Sequence, residues 1–162
     1  MSQTIGAIIA LMAASVLAMN VQQGAVRSKM DMVAEETETY AGSVALDVLD
    51  YISTTAFDEA TKGGGSYSRD ELTAVPFSTG KRYEDADDID DFHEIQTYTF
   101  TSGYESYEFE VDVTVQYVSE EDGETVSGTP TFAKLVTVYV TNPILQRYDR
   151  TVTMSQVMTY GS

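Results

Sequence analysis

The residues best equipped for chemistry lie in one short run, Tyr83-Glu84-Asp85-Ala86-Asp87-Asp88-Ile89-Asp90-Asp91-Phe92-His93-Glu94. Asp87, Asp88, Asp90 and Asp91 crowd four carboxylates into five positions, and hard cations such as calcium are held by several carboxylate and carbonyl oxygens. A calcium site on these four aspartates is therefore one expectation. Against it, the run lacks the glycine and the ligand spacing of an EF-hand loop, and charged runs are most often solvated surface. His93, the single histidine, reads as a surface or hydrogen-bonding residue rather than a ligand.

Elsewhere the vocabulary of catalysis is thin. There is no cysteine, which removes disulfides, thiolate metal sites and Cys nucleophiles together, and no tryptophan. Nothing in the linear order pairs a nucleophile with a base, so an enzyme is not expected, and calcium is the one cofactor considered. The charge balance narrows the partners. Nine Lys and Arg against 26 Asp and Glu give a formal net charge of −17, the opposite of the basic patches that neutralise nucleic-acid phosphates. Copies of such a chain repel one another, so self-assembly must rest on non-electrostatic contacts or on screening counter-ions, and a salty environment would suit it.

The acidic run must be positioned by its neighbours, and the chain in front of it is dominated by one element. Residues 1–26 carry no charged side chain, and from Arg27 the pattern turns amphipathic with no proline to interrupt it. The expectation is a single helix over 1–53, about 80 Å long at about 1.5 Å per residue. From Ile5 to Met19 every residue is apolar or small, about 22 Å of helix, and the uncharged flanks Ser2–Val26 lengthen this to a plausible membrane span. No basic n-region precedes the run, which argues against a secretory signal peptide.

Gly6, Ala10, Ala14 and Ala18 recur every four residues and line one side of this helix, a register that lets backbones approach closely. Ile5, Ile8, Ile9, Met12 and Val16 are left to pack around that seam, so the preferred reading is a helix packed against copies of itself, and the plainer one a solitary membrane anchor. Asn20-Val21-Gln22-Gln23-Gly24 interrupts the apolar seam and is where any soft or unwound point belongs. Beyond it, Val26, Met30, Val33, Tyr40, Val44, Val48 and Ile52 form an apolar stripe with Thr37 as its gap.

Residues 54–162 read as a β-rich head. Ser53 to about Gln96 is connecting structure, with turn chemistry at Lys62-Gly63-Gly64-Gly65-Ser66 and a short strand over Leu72–Phe77, and it holds the acidic loop 83–94. From Thr97 the composition becomes that of strands. Tyr107, Phe109, Val111, Val113, Val115 and Tyr117 alternate with Glu108, Glu110, Asp112, Thr114 and Gln116, the period of a half-buried antiparallel strand. Glu121-Asp122-Gly123-Glu124 offers a turn, and a return strand from Phe132 to Thr141 puts Val136, Val138 and Val140 on one face. Asn142-Pro143 ends that strand, and Thr151–Tyr160 closes a meander of roughly four strands. Its apolar face needs a cover, and residues 27–53 of the long helix are the sizeable candidate. The fold class is thus α+β, and the front half of the helix is left protruding.

This layout resembles that of type IV pilins and pseudopilins. Asp87-Asp88-Ile89-Asp90-Asp91-Phe92-His93 is similar to the "DDVDDYHG"-type stretch of minor pilins of the mannose-sensitive haemagglutinin pilus type. The later order is similar too, with the Tyr107–Tyr117 strand, then Ala133-Lys134-Leu135-Val136-Thr137-Val138-Tyr139-Val140, then a closing strand. The resemblance covers nearly the whole chain in layout, and its specific part is short. It implies a subunit held in the inner membrane as a precursor, handled by pilus assembly machinery, and extracted into an extracellular filament whose core is a bundle of apolar helices.

Two departures matter. The family has a basic leader and a glutamate at the fifth mature position, whereas here position five is Ile5. Arg27 and Lys29, the basic residues nearest the apolar run, would favour a cytoplasmic head, and a basic leader removed ahead of Met1 would restore the exported orientation. The processed form is the expectation. The assembly interface is then expected at Ile5, Gly6, Ile9, Ala10, Met12, Ala14, Val16 and Ala18. Three functions follow in order of preference: a structural subunit of a pilus-like filament, a minor or tip pilin with an adhesive or calcium-binding head, and a membrane-anchored envelope receptor or enzyme.

Overall fold

In the computed structural model, residues 2–64, 67–95, 98–102 and 107–161 are described, and of these the side chains at 2–10, 13, 98, 100–102 and 107 are not. The protein is α+β, with a long N-terminal helix and an antiparallel sheet. It divides into two compact units, Met1–Thr37 and Glu38–Ser162.

Helix α1 runs without a break over Ser2–Ser53. It continues straight through Asn20–Gly24, so the expected soft point is helical, because an isolated glycine costs a helix only about 1 kcal/mol relative to alanine. Within the first unit Leu11, Met12, Val16, Leu17, Met19, Val21, Val26, Met30, Met32 and Val33 are exposed. Among the residues whose side chains are described, which in α1 begin at Leu11, no helix is long and apolar enough to cross a membrane. Thr37, the polar gap in the stripe, is buried and satisfied locally, its hydroxyl donating to the Val33 carbonyl at 2.7 Å.

In the second unit the buried stripe is Ala41, Val44, Ala45, Val48, Leu49 and Ile52. Tyr40, assigned to the stripe from its spacing, is exposed, and its place is taken by Ala41. Strand β2 (Tyr107–Tyr117) pairs with β3 (Ala133–Thr141), and β3 pairs with β4 (Val152–Thr159), all antiparallel. The short β1 (Tyr98–Ser102) runs along the other edge of β2, with Phe100 opposite Phe109. The expected alternation holds, since Phe109, Val111, Val113, Val115 and Tyr117 are buried with Val136, Val138 and Val140. These side chains form one core with the helical stripe and with Phe57, Leu72, Phe77, Ile89 and Phe92. Each large aliphatic in it contributes about 1.5–3 kcal/mol relative to exposure.

The connecting region differs from expectation. Leu72–Phe77 is not a strand; the segment holds short 3-10 turns at Glu59–Gly63, Arg69–Glu71, Tyr83–Asp85 and Asp90–Phe92 instead. Leu72 and Phe77 drop single side chains into the core, so their apolar character serves burial without a ladder. After β3, Asn142-Pro143 does more than end a strand. It opens a one-turn helix, α2 (Pro143–Arg147), whose first N–H groups, from Ile144 and Leu145, donate to the Asn142 side chain at 3.1 and 2.8 Å.

Candidate functional site

The acidic run is drawn against the end of α1 by a backbone zipper. The Ile89 N–H donates to the Ala56 carbonyl at 2.9 Å, and Ala56 bridges Asp88 in parallel fashion. Two residues past each of these points, Asp58 and Asp90 enter the interior from neighbouring segments. Asp58 is buried at the start of the turn Glu59–Gly63, where its Oδ1 accepts from the Ala60 N–H at 3.2 Å and the Thr61 hydroxyl answers its own N–H at 3.1 Å. This is a capping box, and it sets the rotamer that points Asp58 inward.

Between the two carboxylates lies Lys134, fully buried. On β3 it is in phase with Val136, Val138 and Val140, so the same period of two that buries the valines buries the ammonium. Its Nζ donates to Asp90 Oδ1 at 2.6 Å, to the Phe57 carbonyl at 2.6 Å and to Asp58 Oδ2 at 3.2 Å. The Phe57, Tyr117 and Phe77 rings stand around it with centroids at 4.5, 5.2 and 5.5 Å. A lysine without partners here would suffer a large desolvation penalty; three acceptors and three ring faces offset it.

Tyr117, the cross-strand partner of Lys134, completes the cluster. Its hydroxyl lies 3.2 Å from Asp58 Oδ2 and 3.0 Å from the Thr73 carbonyl. Thr73 in turn donates its N–H to Asp58 Oδ2 at 2.9 Å and its hydroxyl to Asp58 Oδ1 at 3.2 Å. Burial pushes Asp58 up, but the Thr73 N–H, the Lys134 charge and the Ala60 N–H outweigh it and hold the carboxyl below its ordinary value. Burial, then the Asp58 charge, drives the Tyr117 phenol upward, so it remains a donor.

The remaining aspartates, of which Asp88 and Asp91 are buried and Asp87 is exposed, pair with other cations. Lys62 contacts Glu59 Oε2 at 2.5 Å, Asp87 Oδ2 at 2.6 Å and Asp88 Oδ2 at 3.8 Å. Lys81 pairs with Asp91. The four aspartates expected to share one calcium therefore divide among three lysines: Asp90 belongs to Lys134, Asp91 to Lys81, and Asp87 with Asp88 to Lys62. Among the described residues, the carboxylates whose oxygens could converge on one ion are Glu59, Asp87 and Asp88, within 4.8 Å of one another. Burial and the neighbouring Asp90 and Asp91 charges push Asp88 up to about 6, its Oδ1 accepting from the Asp91 N–H at 3.1 Å. His93 is a hydrogen-bonding residue, its Nδ1 accepting from the Val115 N–H at 3.1 Å with its ring against Phe77.

Of the expected assembly residues, Met12, Ala14, Val16 and Ala18 are on the exposed surface of α1, whereas the side chains of Ile5, Gly6, Ile9 and Ala10 lie outside the described residues. Sequence reasoning passed over Asp58, Thr73, Tyr117 and Lys134. A signal for Lys134 was present, a lone cation at an inward position of an alternating strand. Comparison with known proteins finds no matching family model, no similar curated protein and no similar solved structure.

Proposed function

We propose that this chain is a structural subunit of an extracellular, type IV pilus-like filament, held together by the apolar front half of α1. The observation that carries this reading is the set of large apolar side chains displayed along the first unit. Leu11, Leu17 and Val21 are 69%, 66% and 72% exposed, with Met12, Val16 and Met19 between them. A surface of that kind marks an interaction site, and a helix lined by Ala14 and Ala18 fits close packing against identical helices. The finer reading of the second unit is a pilin-like head, with four strands covered by residues 38–53. Before assembly the same helix resides in the inner membrane and meets the pilus assembly machinery. The subunit works by packing and not by catalysis.

The seam supplies the test. Ala10→Leu together with Ala14→Leu should abolish filaments or change their pitch under electron microscopy, while the second unit keeps its melting transition. Filaments of unchanged pitch would remove the seam from the interface. A second reading, a minor or tip subunit with a calcium-binding head, is favoured by the convergence of Glu59, Asp87 and Asp88. Mass spectrometry of purified filaments separates the two, because a bulk subunit dominates the protein content and a tip subunit is a trace.

A further inference from the structure

The cluster around Lys134 has the parts of a condensation reaction. An amine and a carboxyl are fixed in contact, at 2.6 Å from Nζ to Asp90 Oδ1. A second carboxylate, Asp58, touches the same nitrogen at 3.2 Å. Three aromatic rings wall the site, and Lys134 is 0% exposed. We propose that Lys134 and Asp90 join through an intramolecular amide between Nζ and Cγ, with Asp58 carrying the proton, so that the second unit is covalently cross-linked.

The two carboxylates are not equivalent, and their contacts assign the roles. Asp58 accepts from the Ala60 and Thr73 N–H groups, the Thr73 and Tyr117 hydroxyls and Lys134, a set that stabilises an anion and makes its carbon a poor electrophile. Among the described residues Asp90 accepts at its carboxylate from Lys134 alone. Its carboxyl is thus the one that can take a proton and be attacked.

The step balances within the chain. A proton passes from the Nζ ammonium to Asp90, leaving an amine and a carboxylic acid. Two amine hydrogens stay on the Phe57 carbonyl and Asp58 Oδ2, which directs the lone pair at Asp90. Nζ forms a bond to Cγ, Asp58 removes a proton from the nitrogen, and the same proton is delivered to the departing hydroxyl as the C–O bond breaks. One water leaves, Asp58 ends as it began, and no oxidant or outside reactant is needed. Fixing amine and carboxyl in contact supplies the proximity that a bimolecular condensation lacks. Lys134 is in β3 and Asp90 in the acidic run, so the bond would tie the sheet to the loop beside the end of α1 whether or not the chain forms filaments.

The test is the intact mass of the purified, denatured full chain, followed by peptide mapping. The wild type should be lighter than its sequence mass by one water, trypsin should fail to cut after Lys134, and a branched peptide should join Lys134 to Asp90. Lys134→Arg and Asp90→Ala should each give the full sequence mass. Asp90→Asn should give the same branched peptide with loss of ammonia instead of water. A wild-type chain of full sequence mass overturns the proposal and leaves the cluster an ion pair. So does a lost water that maps elsewhere, for instance to Asp122-Gly123, or a branch that joins Lys134 to Asp58. The decisive measurement is made on the wild type, so poor folding of a variant does not blunt it.

Discussion

Asp88 is the residue whose ionisation the fold disturbs in a measurable range. Its carboxyl is raised from 3.8 to about 6, by burial first and by the Asp90 and Asp91 charges next. An acid raised in the native state holds its proton more tightly there than in the unfolded chain. Its contribution to stability is therefore present below 3.8 and lost as pH rises through about 6. Asp88→Asn keeps an oxygen for the Asp91 N–H and discards the charge. In chelator-containing buffer the variant should melt above the wild type at about pH 7.5 and converge with it at acid pH. An offset independent of pH would remove ionisation as its cause. Adding calcium to the same melts examines Glu59, Asp87 and Asp88 together, with a higher Tm expected for an ion site and no change for solvated carboxylates. From the sequence, Asp87, Asp88, Asp90 and Asp91 are four equivalent side chains, because nothing in the order of residues says which is buried or which cation each meets. In the structure Asp88, Asp90 and Asp91 are buried, and Asp90, in the turn Asp90–Phe92, is the one that reaches Lys134 on β3.

Legibility among the elements followed the length of their periodic signal. α1, β2 and β3 repeat a pattern many times, and the structure shows each close to its expected span. The 3-10 turns of residues 59–92 are three to five residues long, too short for any period, and they are held by caps and tertiary contacts. Helix α2 falls between these cases. It has five residues, yet Asn142 followed by Pro143 is a helix-start signal that could have been read. Asn142 is buried, and its side chain satisfies two N–H groups. Asn142→Ala should destabilise the second unit by about 1–2 kcal/mol in urea unfolding with an unchanged m-value. A loss within error would mean that the backbone of α2 is held by its packing alone.

For the whole molecule the dominant quantity is charge. A net charge of −17 destabilises any compact state and opposes contact between copies. The shielding length falls from about 10 Å at 0.1 M salt to about 3 Å at 1 M. Raising sodium chloride across that range should lift Tm and promote self-association through the apolar half of α1, even though it weakens surface ion pairs such as Arg150 with Glu38. A flat or falling Tm would show that the surface pairs outweigh the general repulsion. Composition, period and the absence of breakers determined by themselves that there is a long helix with an uncharged front, an alternating antiparallel sheet and a strongly acidic surface, because each is a local or additive property of the chain. Tertiary structure alone decided that Phe57, Asp58 and Asp90 meet at the buried Lys134 nitrogen, with Thr73 and Tyr117 holding Asp58 in place. Such a meeting depends on strand register and on which side of each turn faces inward, and neither is written in any one stretch of sequence.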